Sequence, residues 1–211
     1  MCSRRFYLPL LATMWLLAGC NRPATTAVEL PEQPEFRDGD LVLRCGHGLE
    51  SRAVTFQSGS AYSHIGILQY DSTQGQWLVL HAVPGEAPQG EPEYLKREPI
   101  SEFYAYDRAT IGAHVRVRCS DSTAREAARY AERKVREHIV FDNDYLLLDT
   151  SQFYCSELVW QAYLHQGLDL SDSIRQEVPQ TFCREGECIF PSDIANSTKI
   201  LYVKPFKTIT L

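Results

Sequence analysis

The apolar and polar residues of this chain fall into two repeating patterns, and the first of them indicates β-strands. Runs rich in valine, isoleucine and leucine, separated by turn residues, are typical of strands. A turn of sequence "DSTQG" joins the second and third of these runs. The fourth run along the chain alternates apolar and basic residues, which predicts a half-exposed strand. The predicted strands are 39–45 (GDLVLRC), 64–70 (HIGILQY), 77–83 (WLVLHAV), 114–119 (HVRVRC) and, near the C-terminus, 199–206 (KILYVKPF).

The second pattern, with apolar residues three or four positions apart, predicts two helices. Thr123 and Glu126 have the spacing of a capping box and would start the first helix. Charged residues such as Arg125 and Arg129 would form its solvated face. The second helix is predicted from Cys155 to His165, and Gly167 would end it. The inward residues are expected to be Ala124, Ala128, Ala131, Val135 and Ile139 in the first helix and Leu158, Val159 and Ala162 in the second.

Length and composition indicate one folded domain. The chain has 211 residues, of which 44% are hydrophobic and 23% charged, close to globular averages. A chain of this length can bury one core but is short for two domains. The net charge of −6 lacks the basic excess of a polyanion-binding protein. Nucleic acid is therefore not expected as a partner.

The N-terminal segment reads as an export signal rather than as part of the fold. Residues 1–19 combine a short basic region, an apolar stretch and small residues, and the "LAGC" that ends at Cys20 resembles the bacterial lipoprotein signal. The resemblance implies that Cys20 is acylated and holds the protein to a membrane of the cell envelope, with the domain facing the periplasm. An ordinary secretory signal and an uncleaved anchor are the alternatives. The proline-rich residues 20–36 are predicted to be a flexible tether, and the domain would span 37–211.

An oxidising compartment changes how the other cysteines are interpreted. Cys2 would leave with the signal, so five cysteines remain besides Cys20. Cys183 and Cys188 enclose the short sequence "REGE", which a local disulfide could close. A zinc knuckle is less favoured there because no second close pair of ligands accompanies them. The sequence does not predict a partner for the distant Cys45 or Cys119.

Two histidines are predicted to lie on one face of the sheet. If Tyr70 and Trp77 are paired across the turn, His64 lies diagonal to His81 on the same side. A shift of two residues would place them directly opposite each other. In either register the side chains can meet, because such neighbours are roughly 4.5 to 8 Å apart at Cβ. Two adjacent imidazoles are poor core residues, although a single histidine in a strand is more often structural than catalytic.

Cys155 supplies a candidate nucleophile at the start of the second predicted helix. Unpaired backbone N–H groups and the positive end of the helix dipole favour its thiolate, and the same N–H groups could stabilise an oxyanion. Cys155 as nucleophile, His64 as base and His81 as the residue that orients His64 would form a complete relay. Taken alone, Cys155 would be interpreted as a buried, inert cysteine.

These segments resemble the permuted papain-like amidases of the YaeF/YiiX type. The resemblance rests on "GDLVL", "SAYSHIGIL", "LHAVPG" and "FDNDYLLLDTSQFYCSELVWQAY", in that order from about Gly39 to Gly167. It implies an α+β, circularly permuted papain-like cysteine hydrolase fold, in which an antiparallel sheet packs against helices including a cysteine-bearing one. Cys155 matches the family's nucleophile, His64 its base and His81 its third polar position, and no cofactor is implied.

The chain departs from the family pattern at two places. Phe141 stands near the position where relatives carry a tyrosine, so Tyr145 or Tyr154 would have to supply that hydroxyl. His81 replaces a residue that is often glutamate in relatives. A histidine can still orient a base, but it lacks a permanent negative charge to stabilise a thiolate–imidazolium pair.

The resemblance leaves the substrate open, since the family acts on amide or ester bonds and includes acyltransferases. Peptidoglycan peptides, acylated amines and lipids are all consistent with an envelope location. A non-catalytic binding lipoprotein is the main alternative. A zinc protein with His64, His81 and Cys155 as ligands is a third, weakened because no neighbouring carboxylate is placed as a hydrolytic base.

Overall fold

The computed structural model describes residues 26–32, 35–147, 149–180, 182–184 and 186–211. The predicted signal (1–19) and Cys20 lie outside these residues. The elements follow one another as β1 (Thr26–Glu29), β2 (Leu41–Cys45), α1 (Leu49–Ser58), β3 (His64–Asp71), β4 (Gln76–His81), β5 (Lys96–Pro99), α2 (Ile100–Phe103), β6 (Ile111–Val117), α3 (Asp121–Arg136), β7 (Val140–Phe141), β8 (Gln152–Phe153), α4 (Cys155–Leu164), β9 (Gln176–Glu177), β10 (Glu187–Cys188), α5 (Pro191–Ala195), β11 (Ile200–Pro205) and β12 (Lys207–Thr210).

A six-stranded antiparallel sheet forms the centre of the fold, in the order β11-β6-β2-β3-β4-β5. Residues that alternate along its strands serve two different cores. One face, which includes Leu41, Leu43 and Ile65, packs against the helices α3 and α4. The other face carries a smaller cluster around Val42, Leu68 and Phe103. This arrangement confirms the expected antiparallel α+β architecture.

The predicted turn and its register are confirmed. Tyr70 pairs with Trp77 and Asp71 with Gln76, so the residue numbers of paired positions on β3 and β4 sum to 147. The strand predicted as half-exposed runs instead from Ile111 to Val117 and is mostly buried. Its burial follows from its position between β2 and β11, inside the sheet rather than at its edge.

The start of α3 differs from the predicted capping box. Ser120, not Thr123, is the N-cap, and its hydroxyl accepts a hydrogen bond from the backbone N–H of Thr123 at 3.1 Å. Ser120 precedes the first helical residue and therefore competes successfully for the cap position. Of the predicted inward residues, Ala124, Ala128 and Ala131 are buried, Val135 is half-buried, and Ile139 lies beyond the helix.

The predicted tether is partly incorporated into the domain. Thr26–Glu29 forms β1, which pairs antiparallel with β12 near the C-terminus. The ring of Phe36 makes edge contacts with Trp77, His114 and Phe206. The prediction of a flexible tether through residue 36 was therefore too long, because backbone pairing and a half-buried aromatic ring fix these residues to the sheet. No helix within the described part of the chain has the length and apolarity needed to cross a membrane.

Candidate active site

Cys155 is the first residue of α4, as the sequence predicted. Tyr154 is the extended N-cap residue, and the rest of the helix is almost fully buried between α3 and the sheet. The packing of α4 brings its N-terminus to the end of the sheet where β3 begins. The backbone N–H groups of Ile65, Ser156 and Cys155 itself are close enough to the sulfur to lower its pKa. The half-buried sulfur thus lies beside the residue that follows His64.

The two histidines meet as predicted. Nε2 of His64 and Nδ1 of His81 are 2.8 Å apart, a good hydrogen-bonding distance. Their rings cross at 72°, and both side chains are buried, His81 completely. Gly66 permits this approach: a Cβ at that position would lie 2.4 Å from Cγ1 of Val79 and 3.2 Å from Cβ of His81. A side chain at position 66 would therefore displace the strand that carries His81.

A carboxylate beside the histidine pair, Glu98, was missed in the sequence. Oε1 of Glu98 lies 3.1 Å from Nε2 of His81, on the side away from His64. Glu98 is on the short edge strand β5, in a segment that was not predicted as a strand. Its charged neighbours and Pro99 hide the alternation that usually reveals a strand. The one available signal was the two-residue spacing of Lys96 and Glu98.

An aromatic ring and a buried cation surround the histidine pair. The ring of Phe103 lies 5.6 Å from that of His64 and 5.1 Å from that of His81, between ring centres. The guanidinium of Arg44 lies over the same phenyl ring at 4.5 Å and forms an ion pair with Glu86. These contacts restrict rotation of both imidazoles, and Arg44 adds a positive charge beside His64.

His64 and Cys155 both line one open cleft of about 460 Å³. Helix α1 and the residues just before it form one wall, and the residues after β4 form another. Charged groups of both signs are present in the lining. The cleft residues are Arg44, Gly46, His47, Gly48, Leu49, Glu50, Ser51, Val54, Ser63, His64, Val83, Pro84, Gly85, Glu86, Asp107, Arg108, Phe141, Tyr145 and Cys155.

The electrostatics favour a neutral thiol and a neutral imidazole at rest. Burial raises the pKa of Cys155 above its usual value, and the hydrogen bonds from Ser156 and Ile65 offset this only in part. Burial, followed by the charge of Arg44, holds the pKa of His64 well below its usual value. The sequence predicted a lowered pKa for Cys155 from the helix N-terminus. That prediction was wrong in direction because desolvation outweighs the helix-end contribution.

The three aromatic residues considered for the missing hydroxyl occupy different places. Phe141 does line the cleft, where it offers no hydroxyl. The hydroxyl of Tyr154 accepts a hydrogen bond from the backbone N–H of Ile189 at 3.1 Å and does not face this cleft. Tyr145 lines the cleft with Cys155 and has a positive φ of 53°, an unusual backbone conformation for a tyrosine. Tyr145 is therefore the residue placed to supply the hydroxyl.

The predicted disulfide between Cys183 and Cys188 is absent from the structure, in which both are buried free thiols. The sulfur of Cys183 instead lies 2.9 Å from the backbone carbonyl oxygen of Glu187 and 3.1 Å from that of Tyr145, which are the acceptors within reach of its single hydrogen. Two carbonyl acceptors direct this sulfur toward the backbone and correct the prediction made from the short spacing.

The metal-site alternative finds no support in the donor geometry. His64 and His81 direct one ring nitrogen each at the other, and His81 directs its second at Glu98. Across the residues that the structure describes, no three His, Cys, Asp or Glu side chains are grouped closely enough to hold a metal ion.

Comparison with known proteins gives a likeness of fold. No protein-family model matches the chain. No curated protein matches it. Among solved structures, the protein described as the metalloprotein YiiX from Escherichia coli O157:H7, DUF1105, is similar over 82% of this chain and 96% of its own, with a TM-score of 0.61 and 18% identity. At that identity the likeness establishes a YiiX-like fold.

Proposed function

We propose that this protein is a cysteine hydrolase that cleaves amide or ester bonds, or transfers the acyl group, with Cys155 as nucleophile and His64 as base. The observation that carries the proposal is the 2.8 Å hydrogen bond between His64 and His81 at a cleft that Cys155 also lines. A nucleophile, a base and a residue that orients the base are the parts that thiol catalysis requires. The likeness to YiiX supports the fold on which this assignment depends.

In the first half-reaction, the sulfur of Cys155 attacks the substrate carbonyl carbon while His64 removes the thiol proton. A carbon–sulfur bond forms, and the carbonyl electron pair moves onto oxygen. Backbone N–H groups at the start of α4 are suited to stabilise that oxyanion. His64 then gives its proton to the leaving nitrogen or oxygen, whose bond to carbon breaks. The acyl group remains on Cys155 as a thioester.

The second half-reaction decides between hydrolysis and transfer. His64 removes a proton from water, which attacks the thioester carbonyl, and the carbon–sulfur bond breaks as the acid is released. An amine or alcohol in place of water would give acyl transfer by the same steps. His64 returns the proton to the sulfur at the end, so the enzyme is restored.

Because the pKa of Cys155 is raised and that of His64 is lowered, His64 must remove the thiol proton during the attack rather than before it. A neutral thiol is a weak nucleophile, so proton removal must accompany attack. Both shifts have burial as their largest cause, and a bound substrate that covers the cleft would maintain them.

The substrate is proposed to be a small amide, peptide or lipid near a bacterial membrane. The open cleft has polar and apolar walls and room for a chain of a few residues or an acyl group. Acylation of Cys20 would hold the domain at the periplasmic surface of the envelope. Peptidoglycan peptides, acylated amines and lipids all meet these conditions.

A resident metal does not fit the candidate site. The comparison protein is described as a metalloprotein, but in this chain the relevant nitrogen atoms of His64 and His81 are directed at each other. No three potential ligands within the described residues form a group. The proposed reaction therefore uses no metal in any step.

Turnover of a panel of peptide amides and p-nitrophenyl esters tests the proposal. The wild-type protein should release product, and Cys155→Ser and His64→Ala should not. Mass spectrometry of the wild-type protein should find the acyl group on Cys155. Binding of the same compounds without turnover would favour the alternative of a non-catalytic binding lipoprotein.

A further inference from the structure

Glu98 belongs to the same face of the sheet as the histidine pair. In the register of β4 and β5, His81 pairs with Lys96 and Val79 with Glu98, so Glu98 lies one diagonal step from His81. His81 is fully buried and Glu98 nearly so. The other oxygen of Glu98 lies 2.9 Å from the guanidinium of Arg108. Glu98 thus has one oxygen for a histidine and one for an arginine.

These contacts determine where each proton lies. Although burial alone would raise the pKa of Glu98, its contacts with His81 and Arg108 lower it to about 2, so it is an ionised acceptor at neutral pH. An ionised carboxylate oxygen 3.1 Å from Nε2 of His81 favours the tautomer in which that nitrogen carries the hydrogen. In a neutral imidazole this leaves Nδ1 of His81 as an acceptor, and Nε2 of His64 must be the donor.

We propose that Glu98 is a positioning residue for the reaction proposed above, because it fixes the tautomers of both histidines and leaves Nδ1 of His64 unprotonated. Nδ1 is the ring nitrogen that His81 does not use, and it is the one that must accept the proton of Cys155. The carboxylate also stabilises positive charge that reaches the histidines during attack. Glu98 acts through His81 and touches neither substrate nor sulfur.

Other charges near the pair do not fix the tautomers. Arg44 and Lys96 are donors that form ion pairs with Glu86, and Arg44 also donates to the carbonyl of Phe103. They affect the histidines through charge alone. Glu98 has the direct contact with a histidine nitrogen, and Arg108 restricts how any replacement side chain can turn.

The substitution Glu98→Gln gives a sharp test. Arg108 is only a donor, so the amide oxygen of the new side chain must face it. The amide NH₂ would then face Nε2 of His81 and require an acceptor there. The proton of His81 would move to Nδ1, and that of His64 would move to its own Nδ1, where it blocks removal of the thiol proton. The comparable change in a serine protease triad also traps the wrong tautomer.

The tautomers can be measured without any substrate by two-bond ¹⁵N–¹H correlation spectra of the histidine rings. We expect wild-type His64 to carry its hydrogen on Nε2 and the Glu98→Gln variant to carry it on Nδ1. Iodoacetamide alkylation of Cys155 at pH 7 should be slower than in the wild type by about tenfold or more. Adding Arg108→Met frees the amide to turn its oxygen to His81 and should restore both readouts.

Asp71→Asn is the matched control, because Asp71 is a buried carboxylate that forms a 2.8 Å ion pair with Arg97 of the same edge strand. It should leave the His64 tautomer and the alkylation rate as in the wild type. A wild-type spectrum with the hydrogen on Nδ1 of His64, or a Glu98→Gln variant with unchanged tautomer, would overturn the proposal. Correct tautomers in a protein without turnover would instead refute the hydrolase assignment, while showing that Glu98 still sets the histidine tautomers.

Discussion

Nε2 of His64 and Nδ1 of His81 lie 2.8 Å apart although the two residues are separated by 17 positions in the chain. The contact depends on a hairpin whose paired residue numbers sum to 147 and on the absence of a side chain at Gly66. Because both histidines are buried, water cannot replace either imidazole as the hydrogen-bond partner of the other. Its consequences for catalysis, alkylation, stability and packing can be tested separately.

The first prediction concerns the catalytic unit. Cys155→Ser and His64→Ala should each lower kcat/KM for a cleaved amide or ester by about 10³-fold or more, because nucleophile and base act together. Steady-state kinetics should show that the double variant is little worse than either single variant. His81→Ala should do less damage, since nucleophile and base remain. Full activity in Cys155→Ala would exclude the thiol mechanism.

The second prediction concerns the protonation of Cys155. Because burial raises the pKa of the thiol and lowers that of His64, the resting pair is neutral. The iodoacetamide rate at Cys155 should rise with pH through neutrality and beyond pH 8.5, the usual value for a free thiol. Peptide mapping identifies the labelled cysteine. A rate that is already maximal at about pH 6 would instead reveal a preformed thiolate–imidazolium pair.

The same alkylation assay tests the metal-ligand alternative. Addition of a chelator should leave the rate at Cys155 unchanged, because the two histidines are hydrogen-bonded to each other and the second ring nitrogen of His81 lies 3.1 Å from Glu98. A rate that increases with chelator would show that a metal had protected the thiol.

The third prediction concerns the membrane anchor. If Cys20 is acylated, Cys20→Ser should move the protein from the membrane fraction to a soluble or unprocessed pool, because the lipid is its proposed attachment. Cell fractionation with immunoblotting measures this, and Cys45→Ser serves as a control outside the signal. A correctly cleaved Cys20→Ser protein that still sediments with membranes would rule out lipidation as the anchor.

The sequence predicted the parts of this fold that depend on local pattern. The "DSTQG" turn sets the register of β3 and β4, so the meeting of His64 and His81 followed from parity alone. Gly167 ends the second helix region with a φ of 76°, as a left-handed C-terminal residue should. The start of α4 at Cys155 was likewise a local signal.

The parts that were missed depend on distant partners. The strand β1 exists because the C-terminal strand β12 supplies its hydrogen bonds, and nothing near Thr26 in the sequence indicates that. Glu98 becomes a partner of His81 only when β5 pairs at the edge of the sheet. The pKa of Cys155 depends on how deeply α4 is packed, and a helix-end argument does not include that desolvation.

The fourth prediction concerns stability at mildly acidic pH. Burial lowers the pKa of both His64 and His81 in the folded state relative to the usual value of about 6.5, with Arg44 also lowering both. Below pH 6.5 the unfolded chain therefore binds more protons at these residues than the folded protein does. Stability should fall by up to about 1.4 kcal/mol per pH unit for each histidine. Urea unfolding at pH 7.5, 6.5 and 5.5 measures this dependence.

A His64→Asn, His81→Asn double variant should have a flatter dependence over the same range, since the two titrating groups are gone. His165, which is exposed, provides the control: His165→Asn should keep the wild-type slope. Equal slopes in the wild type and the double variant would show that the buried pair is not the source of the acid sensitivity.

The fifth prediction concerns Gly66. A Cβ there would lie 2.4 Å from Cγ1 of Val79 and 3.2 Å from both Cβ of His81 and the carbonyl oxygen of Leu80. Gly66→Ala should therefore lower the free energy of unfolding by about 1–3 kcal/mol, the usual cost of overpacking. It should also slow turnover, because β4 must move and take His81 with it. Gly48→Ala is the matched control for stability, since a Cβ at Gly48 meets nothing within 4 Å. Gly66→Ala with wild-type stability and an unchanged His64 tautomer would show that the close approach at Gly66 does not hold the histidine pair together.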